Sequence, residues 1–163
     1  MLMPKKIKFR KVQKGRLKGL SKGARTIFFG EYGLEAVEAS RVTAQQIEAM
    51  RITLSRHLRK VEARYLTKDD GAFFLRVFPD KPVTKKPAET RMGKGNPEVW
   101  VAAVKRGRIV CEVSGVKEVW ARKVLKLAAY KLPMKTRIVK KGQEMLGEKD
   151  QDLTVNNHDE ITM

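Results

Sequence analysis

Ten lysines and arginines fall within the first 25 residues (Lys5, Lys6, Lys8, Arg10, Lys11, Lys14, Arg16, Lys18, Lys22 and Arg25), with no carboxylate among them. The chemistry such a segment offers is phosphate neutralisation. Each cation placed beside a nucleic-acid phosphate releases condensed counterions, and that release drives binding. Gly15, Gly19 and Gly23 recur at four-residue intervals between the charges and free the backbone to follow an irregular anionic surface. Ile7, Phe9, Val12, Leu17 and Leu20 interleave with them. A tail that only solubilises has no use for that apolar content. An arm ordered by RNA does, setting cations and amides on phosphates and apolar groups against nucleobases.

A second group of cations lies in residues 79–97, which hold four of the six prolines (Pro79, Pro82, Pro87, Pro97). Prolines so placed exclude a helix or an interior strand and predict a long connection, of the kind that usually carries function. It bears Lys81, Lys85, Lys86, Arg91 and Lys94, with Gly93 and Gly95 bracketing the tip. Arg91 offers a planar guanidinium that pairs bidentately with phosphate and stacks on a base. A third set, Arg51, Arg56 and Arg59 with Lys60, falls on the polar side of a helical pattern and reads equally as an ordinary solvated face.

No catalyst is readable. Cys111 sits mid-strand between Val110 and Glu112 with no histidine at a recognisable spacing, so an inert buried thiol is expected. Asp69, Asp70 and Asp80 occupy turns without a matched partner, and Gly93-Lys94-Gly95 lacks the spacing of a phosphate-binding loop. One cysteine and two histidines (His57, His158) supply neither a disulfide nor a zinc cluster. No cofactor and no metal are expected, and the chain is not read as an enzyme.

The whole chain repeats the message of its arm. Its 163 residues carry 36 Lys+Arg against 18 Asp+Glu, a formal net charge of +18. At 42% hydrophobic residues it has enough apolar content for one modest core. The surplus charge calls for a polyanion. Because it is spread over many segments and not held on one amphipathic helix, nucleic acid is favoured over a membrane surface or an acidic protein. No apolar run approaches the roughly 20 residues of a membrane span. The start, MLMPKKIKFRK, resembles neither a signal nor a transit peptide, so a soluble protein acting where it is made is expected. Residues 143–163 reverse the balance, with six acids against Lys149, and leave +23 on the preceding 142. Three parts follow: a basic arm over 1–25, a globular domain over 26–142, and an acidic tail over 143–163 expected to be disordered.

The elements that must position these groups are legible in outline. FFGEYGLEAVEAS predicts a strand with a turn at Glu31–Gly33. Thr43 and Gln46 form a capping-box pattern, and Ile47, Met50, Leu54, Leu58 and Val61 then recur on one face of a helix over 43–62. Asp69-Asp70-Gly71 marks a turn before a strand, AFFLRVF. EVWVAAV (98–104) and RIVCEV (108–113), separated by Arg106-Gly107, predict a hairpin whose first strand is central. A helix over 117–132 follows, with Val116, Trp120, Val124, Leu127 and Ala128 inward and Pro133 ending it. Thr136–Lys141 predicts a last strand. The class is α+β, an antiparallel sheet packed with two amphipathic helices.

In order along the chain, PKKIKFRKVQKGRLKG, GLEAVEASRVTAQQIEAMR, RVFPDKPVTKKPAETRMGKG and LAAYKLPMKT resemble the family of bacterial-type large-subunit ribosomal protein sixteen, over about residues 2–141. The resemblance implies an α+β domain that binds large-subunit rRNA near the aminoacyl-tRNA site, among other large-subunit proteins and without forming a homo-oligomer. It also implies an arm and a Pro-rich loop reaching toward the peptidyl-transferase region and tRNA, and a ribosome that is bacterial or organelle-encoded, the bacterial one being the expectation. In some bacterial relatives the arginine matching Arg91 is hydroxylated. Three features depart from the family pattern. The tip, Arg91-Met92-Gly93-Lys94-Gly95-Asn96, is two residues and one lysine short; EARYLTKDDGAF is long; and the tail after Gly142 has no counterpart. A DNA-binding architectural protein would share the charge, but no helix-turn-helix or zinc finger is readable.

Overall fold

The computed structural model describes residues 2–65, 72–89 and 91–142. Among them, in chain order, are β1 (Tyr32–Ala36), β2 (Ser40–Thr43), α1 (Ala44–Tyr65), β3 (Ala72–Leu75), β4 (Lys81–Lys85), β5 (Asn96–Val104), β6 (Ile109–Ser114), α2 (Glu118–Ala129) and β7 (Thr136–Lys140). The class is α+β, with the strands divided between two antiparallel sheets ordered β3-β6-β1-β7 and β2-β5-β4.

The first helix starts where its sequence says it should. The Thr43 backbone N–H donates to Gln46 Oε1 at 2.9 Å, and the Gln46 N–H donates to Thr43 Oγ1 at 3.2 Å, so two otherwise orphaned donors are satisfied. The expected stripe of Ile47, Met50, Leu54, Leu58 and Val61 is buried throughout. At about 1.5–3 kcal/mol for each large apolar side chain, that stripe is a main source of core stability. It packs with α2 against Tyr32, Leu34, Cys111 and Val113 of the larger sheet and Val42, Ala102 and Val104 of the smaller one.

The buried face of α2 is Ala121, Val124, Leu125 and Ala128, turned slightly from the expected stripe. Trp120 and Leu127 are only half-buried. Small Ala121 and Ala128 allow close approach to the core, while Trp120 stays at the rim with the Lys123 ammonium 5.4 Å from its ring centroid. The helix ends at Ala129, before Pro133.

Three further expectations are corrected. Glu31–Gly33 is not a turn, since β1 begins at Tyr32 and all five of its residues are buried between β6 and β7. Residues 98–113 are not a hairpin. β5 lies at the centre of the smaller sheet, as expected of its two apolar faces, but β6 pairs with β1 and β3 in the other. The turn between them hands the chain from sheet to sheet through Gly107, whose φ of +75° favours glycine. The span 79–97 is not structureless either: β4 pairs with β5 from Lys81↔Val101 to Lys85↔Asn96. Its Pro82 is compatible because β4 is an edge strand. The turn expected at residues 69–71 and the acidic tail at 143–163 lie outside the described residues.

Candidate nucleic-acid interface

Each sheet turns one face to the helices and the other to the N-terminal segment, which holds no helix or strand beyond an isolated bridge between Leu20 and Arg106. On the smaller sheet, Arg41 pairs with Ala103 and Lys81 with Val101. Residues 101 and 103 of one strand point the same way, so Arg41 and Lys81 project together from the face away from the helices. There they hold the arm by its carbonyls. Arg41 Nη2 donates to Gly15 O at 2.6 Å and Lys14 O at 3.3 Å, and Lys81 Nζ donates to Lys14 O at 3.4 Å.

The loop between β4 and β5 reaches the same stretch of arm. Lys11 Nζ donates to Lys94 O at 2.7 Å, and Lys94 Nζ donates back to Val12 O at 3.1 Å. Gly95 lies so close to Lys85 that an added Cβ would stand 2.0 Å from its carbonyl oxygen, so the loop closes tightly behind the tip. Arg91 and Met92 remain exposed at that tip, and Arg91 makes no hydrogen bond or ion pair among the described residues.

Arm and loop thus bring part of the cations singled out in the sequence together. Lys11, Lys14, Lys81 and Lys94 are in direct contact through the backbone, with Lys85, Lys86 and Arg91 along the same loop. Lys5, Lys6, Lys8, Arg10, Arg16, Lys18 and Lys22 are exposed along the arm. Among the described residues none of the arm's cations from Lys5 to Lys22 forms an ion pair. Where lysines of this group hydrogen-bond, they use carbonyl oxygens, so their positive charge stays uncompensated. Arg51, Arg56 and Arg59 are not brought into this group. Arg51 is bonded to Glu48 at 2.6 Å, which lowers the carboxyl's pKa and raises that of the guanidinium. Arg56 and Arg59 are exposed further along α1, Arg59 roughly 16 Å beyond Glu48 at 1.5 Å per residue.

The larger sheet carries two fully buried glutamates, and one of them, Glu112, anchors the C-terminal part of the same segment. Glu112 on β6 accepts at Oε2 from the backbone N–H groups of Phe28 (3.1 Å), Phe29 (2.7 Å) and Gly30 (2.9 Å), while its Oε1 pairs with Arg76. Glu35 on β1 pairs with Arg137 of β7 at 3.1 Å. Ile27 closes against Ile109 and Val139 on this side. A bulge in the β1–β6 pairing, where Leu34↔Cys111 is followed by Glu35↔Ile109, turns Ile109 outward to meet it. Sequence reasoning missed Glu35, Glu112, Arg41 and Arg76. The available signal was an acid inside each of two otherwise apolar strand patterns, GLEA and IVCEV, in a chain where cations outnumber acids two to one. Cys111, beside Glu112 in sequence, is fully buried, and burial pushes its thiol up to about 12, the Glu112 charge adding to the effect.

No helix among the described residues is long and apolar enough to cross a membrane, and no group of metal-ligating side chains is found among them. The family model for ribosomal protein L16p/L10e matches residues 4–139. The large ribosomal subunit protein uL16 of Heliobacterium modesticaldum is 51% identical over 150 residues, covering 91% of this chain and 97% of that protein. Its counterpart in Leptospira biflexa is 50% identical over 143 residues, covering 86% and 98%. A match running from the start of the arm to the end of β7 takes in the arm, both sheets and the loop that meets the arm, and by it the chain belongs to the ribosomal protein L16p/L10e family.

Proposed function

We propose that this chain is a structural constituent of the large ribosomal subunit that binds its rRNA through the arm and the β4–β5 loop and helps organise the aminoacyl-tRNA site. Its family is a structural component of the ribosome and not an enzyme, and the relatives named above are bacterial, which favours a cytoplasmic ribosome. One observation carries the RNA reading: a run of exposed cations without carboxylate partners, its backbone tied to the loop tip that carries Arg91. Such a surface neutralises phosphates without reading base sequence, as a scaffold requires. Contact of the tip with tRNA, other large-subunit proteins as neighbours, and action as a single copy belong to the same proposal. Arg51 is the weakest RNA contact in it, since Glu48 already occupies its guanidinium.

The test is filter binding to protein-free bacterial large-subunit rRNA at several salt concentrations, comparing the full chain with one lacking residues 2–18. That deletion spares Ser21, whose N–H donates to Arg106 O, and Ala24, whose carbonyl accepts from Ile109. It removes eight cations. At about 0.7 per phosphate neutralised, the log–log salt slope should become shallower by several units, up to about six. An unchanged slope would show that the arm is not a contact surface. In parallel, the full chain should remain on large subunits through a high-salt wash.

A further inference from the structure

Phe28 is 71% and Phe29 53% exposed, on a segment whose backbone is held fast. The three amides of residues 28–30 are fixed on Glu112, and a Cβ at Gly30 would stand 2.6 Å from Val113 O, so the chain is pressed onto β6. Phe29 stacks on Phe74 of β3, with centroids 5.3 Å apart and planes at 28°. The Arg76 guanidinium lies 5.3 Å from the Phe29 centroid. Phe28 meets Phe29 edge-on, at 5.0 Å and 81°. Phe29 is thus engaged by three neighbours, and Phe28 is left as a buttressed ring with most of its surface free.

We propose that Phe28, backed by Phe29, Phe74 and Arg76, is a stacking platform for one unpaired nucleobase of the large-subunit rRNA. Base–aromatic stacking needs a ring already held in place, and here the buried carboxylate does the holding. The charge around it suits a nucleic acid: Lys22 and Arg25 precede the platform against Glu31 alone among residues 22–31, while the Arg76 guanidinium beside Phe29 is paired with the buried Glu112. An apolar protein groove would have no use for that excess.

This inference rests on the rRNA-binding reading, and its test separates the two. Binding of the full chain to protein-free bacterial large-subunit rRNA is measured against salt for wild type, Phe28→Ala, Phe28→Leu and Phe28→Trp. Stacking predicts that Ala and Leu each weaken binding by about 5- to 100-fold at unchanged salt slope, because no phosphate contact is lost, and that Trp retains it. Unchanged melting temperatures should accompany these losses, as the ring is mostly exposed. Wild-type affinity in Phe28→Ala would overturn the platform and leave the arm-based reading standing. If that variant binds rRNA normally yet fails to enter subunits, the ring is covered by a protein and the proposal is equally overturned. A wild-type chain that does not bind the rRNA above a nonspecific competitor takes both readings down together.

Discussion

Replacing Glu112 by Gln keeps the volume of the side chain and removes its charge. The carboxylate is fully buried, with three backbone donors on one oxygen and Arg76 on the other. An amide can present its oxygen to only one of these sides, so its NH₂ must face either the three N–H groups or the guanidinium. Hydrogen bonds to a charged acceptor contribute about 1.5–3 kcal/mol each, but these four are not additive, since Phe28 and Phe29 N–H lie near enough to the surface to regain water. The loss that remains is a guanidinium without its counter-charge, together with the buried Gly30 donor. For one partner of a buried pair removed, about 3–5 kcal/mol is expected, and the partial exposure of Arg76 places the value near 3. For a chain of this length each kcal/mol moves the melting temperature by about 2–4 °C, so Glu112→Gln should melt about 6–12 °C lower by circular dichroism. Amide hydrogen exchange at Phe29 and Gly30 should accelerate in the same variant, while the α1 amides keep their protection relative to global unfolding. A melting temperature within 2 °C of wild type, with exchange at those two amides unchanged, would refute the view that Glu112 fastens the N-terminal segment to the sheet.

Arg91→Ala should leave the melting temperature of the free protein unchanged, because the side chain is exposed, yet slow peptide synthesis or late subunit assembly; Arg91→Lys should rescue only in part, lacking the bidentate fork. Normal assembly and translation by Arg91→Ala ribosomes would show that the loop tip reaches no functional RNA. Cys111, with its thiol pushed up to about 12, should resist a disulfide reagent at pH 8 in the native protein and react in full once unfolded; native-state labelling at the rate of a free thiol would contradict its burial. The Glu118 carboxyl is held below its ordinary 4.5 by hydrogen bonds from Arg122 and Lys140. A depressed carboxyl contributes stability above its unfolded pKa and loses it as pH falls through the folded one. The melting-temperature gap between wild type and Glu118→Gln should therefore be constant from pH 6 to 8 and narrow as pH falls below 4.5, and a gap that does not narrow there would rule the carboxylate out as its source. Removing residues 143–163 should leave entry into subunits normal, as checked by sucrose-gradient sedimentation.

What could be read from the sequence was what local physics decides. The α1 stripe and its Thr43–Gln46 cap are set by 3.6-residue periodicity and short-range hydrogen bonds, and both stand as expected. Pairing between distant strands was harder. β5 and β6 lie five residues apart with a turn between, a pattern shared by a hairpin and by a crossing between sheets, and only the tertiary demand of β1 for a partner separates the two. The prolines of residues 79–97 exclude an interior strand but leave an edge strand open, which is where β4 with Pro82 lies and where a long connection was expected. The cations of arm and loop were visible individually, but their convergence runs through carbonyl oxygens, which every residue has and no side-chain pattern advertises. Glu112 was passed over because an acid in a strand reads as solvent-facing until the segment that covers it is in place.

The reciprocal tie between Lys11 and Lys94 makes two segments more than 80 residues apart share their conformational freedom. An RNA that immobilises the arm near Val12 thereby restricts the loop tip as well, so the second contact meets a partner whose entropy has already been reduced. Binding at the two sites should then be cooperative without any change of shape in the sheets between them. Lys94→Met, which removes one of the two bridging donors, would weaken that cooperativity while leaving Arg91 in place. By this route the loop tip gains from the arm part of the ordering it needs.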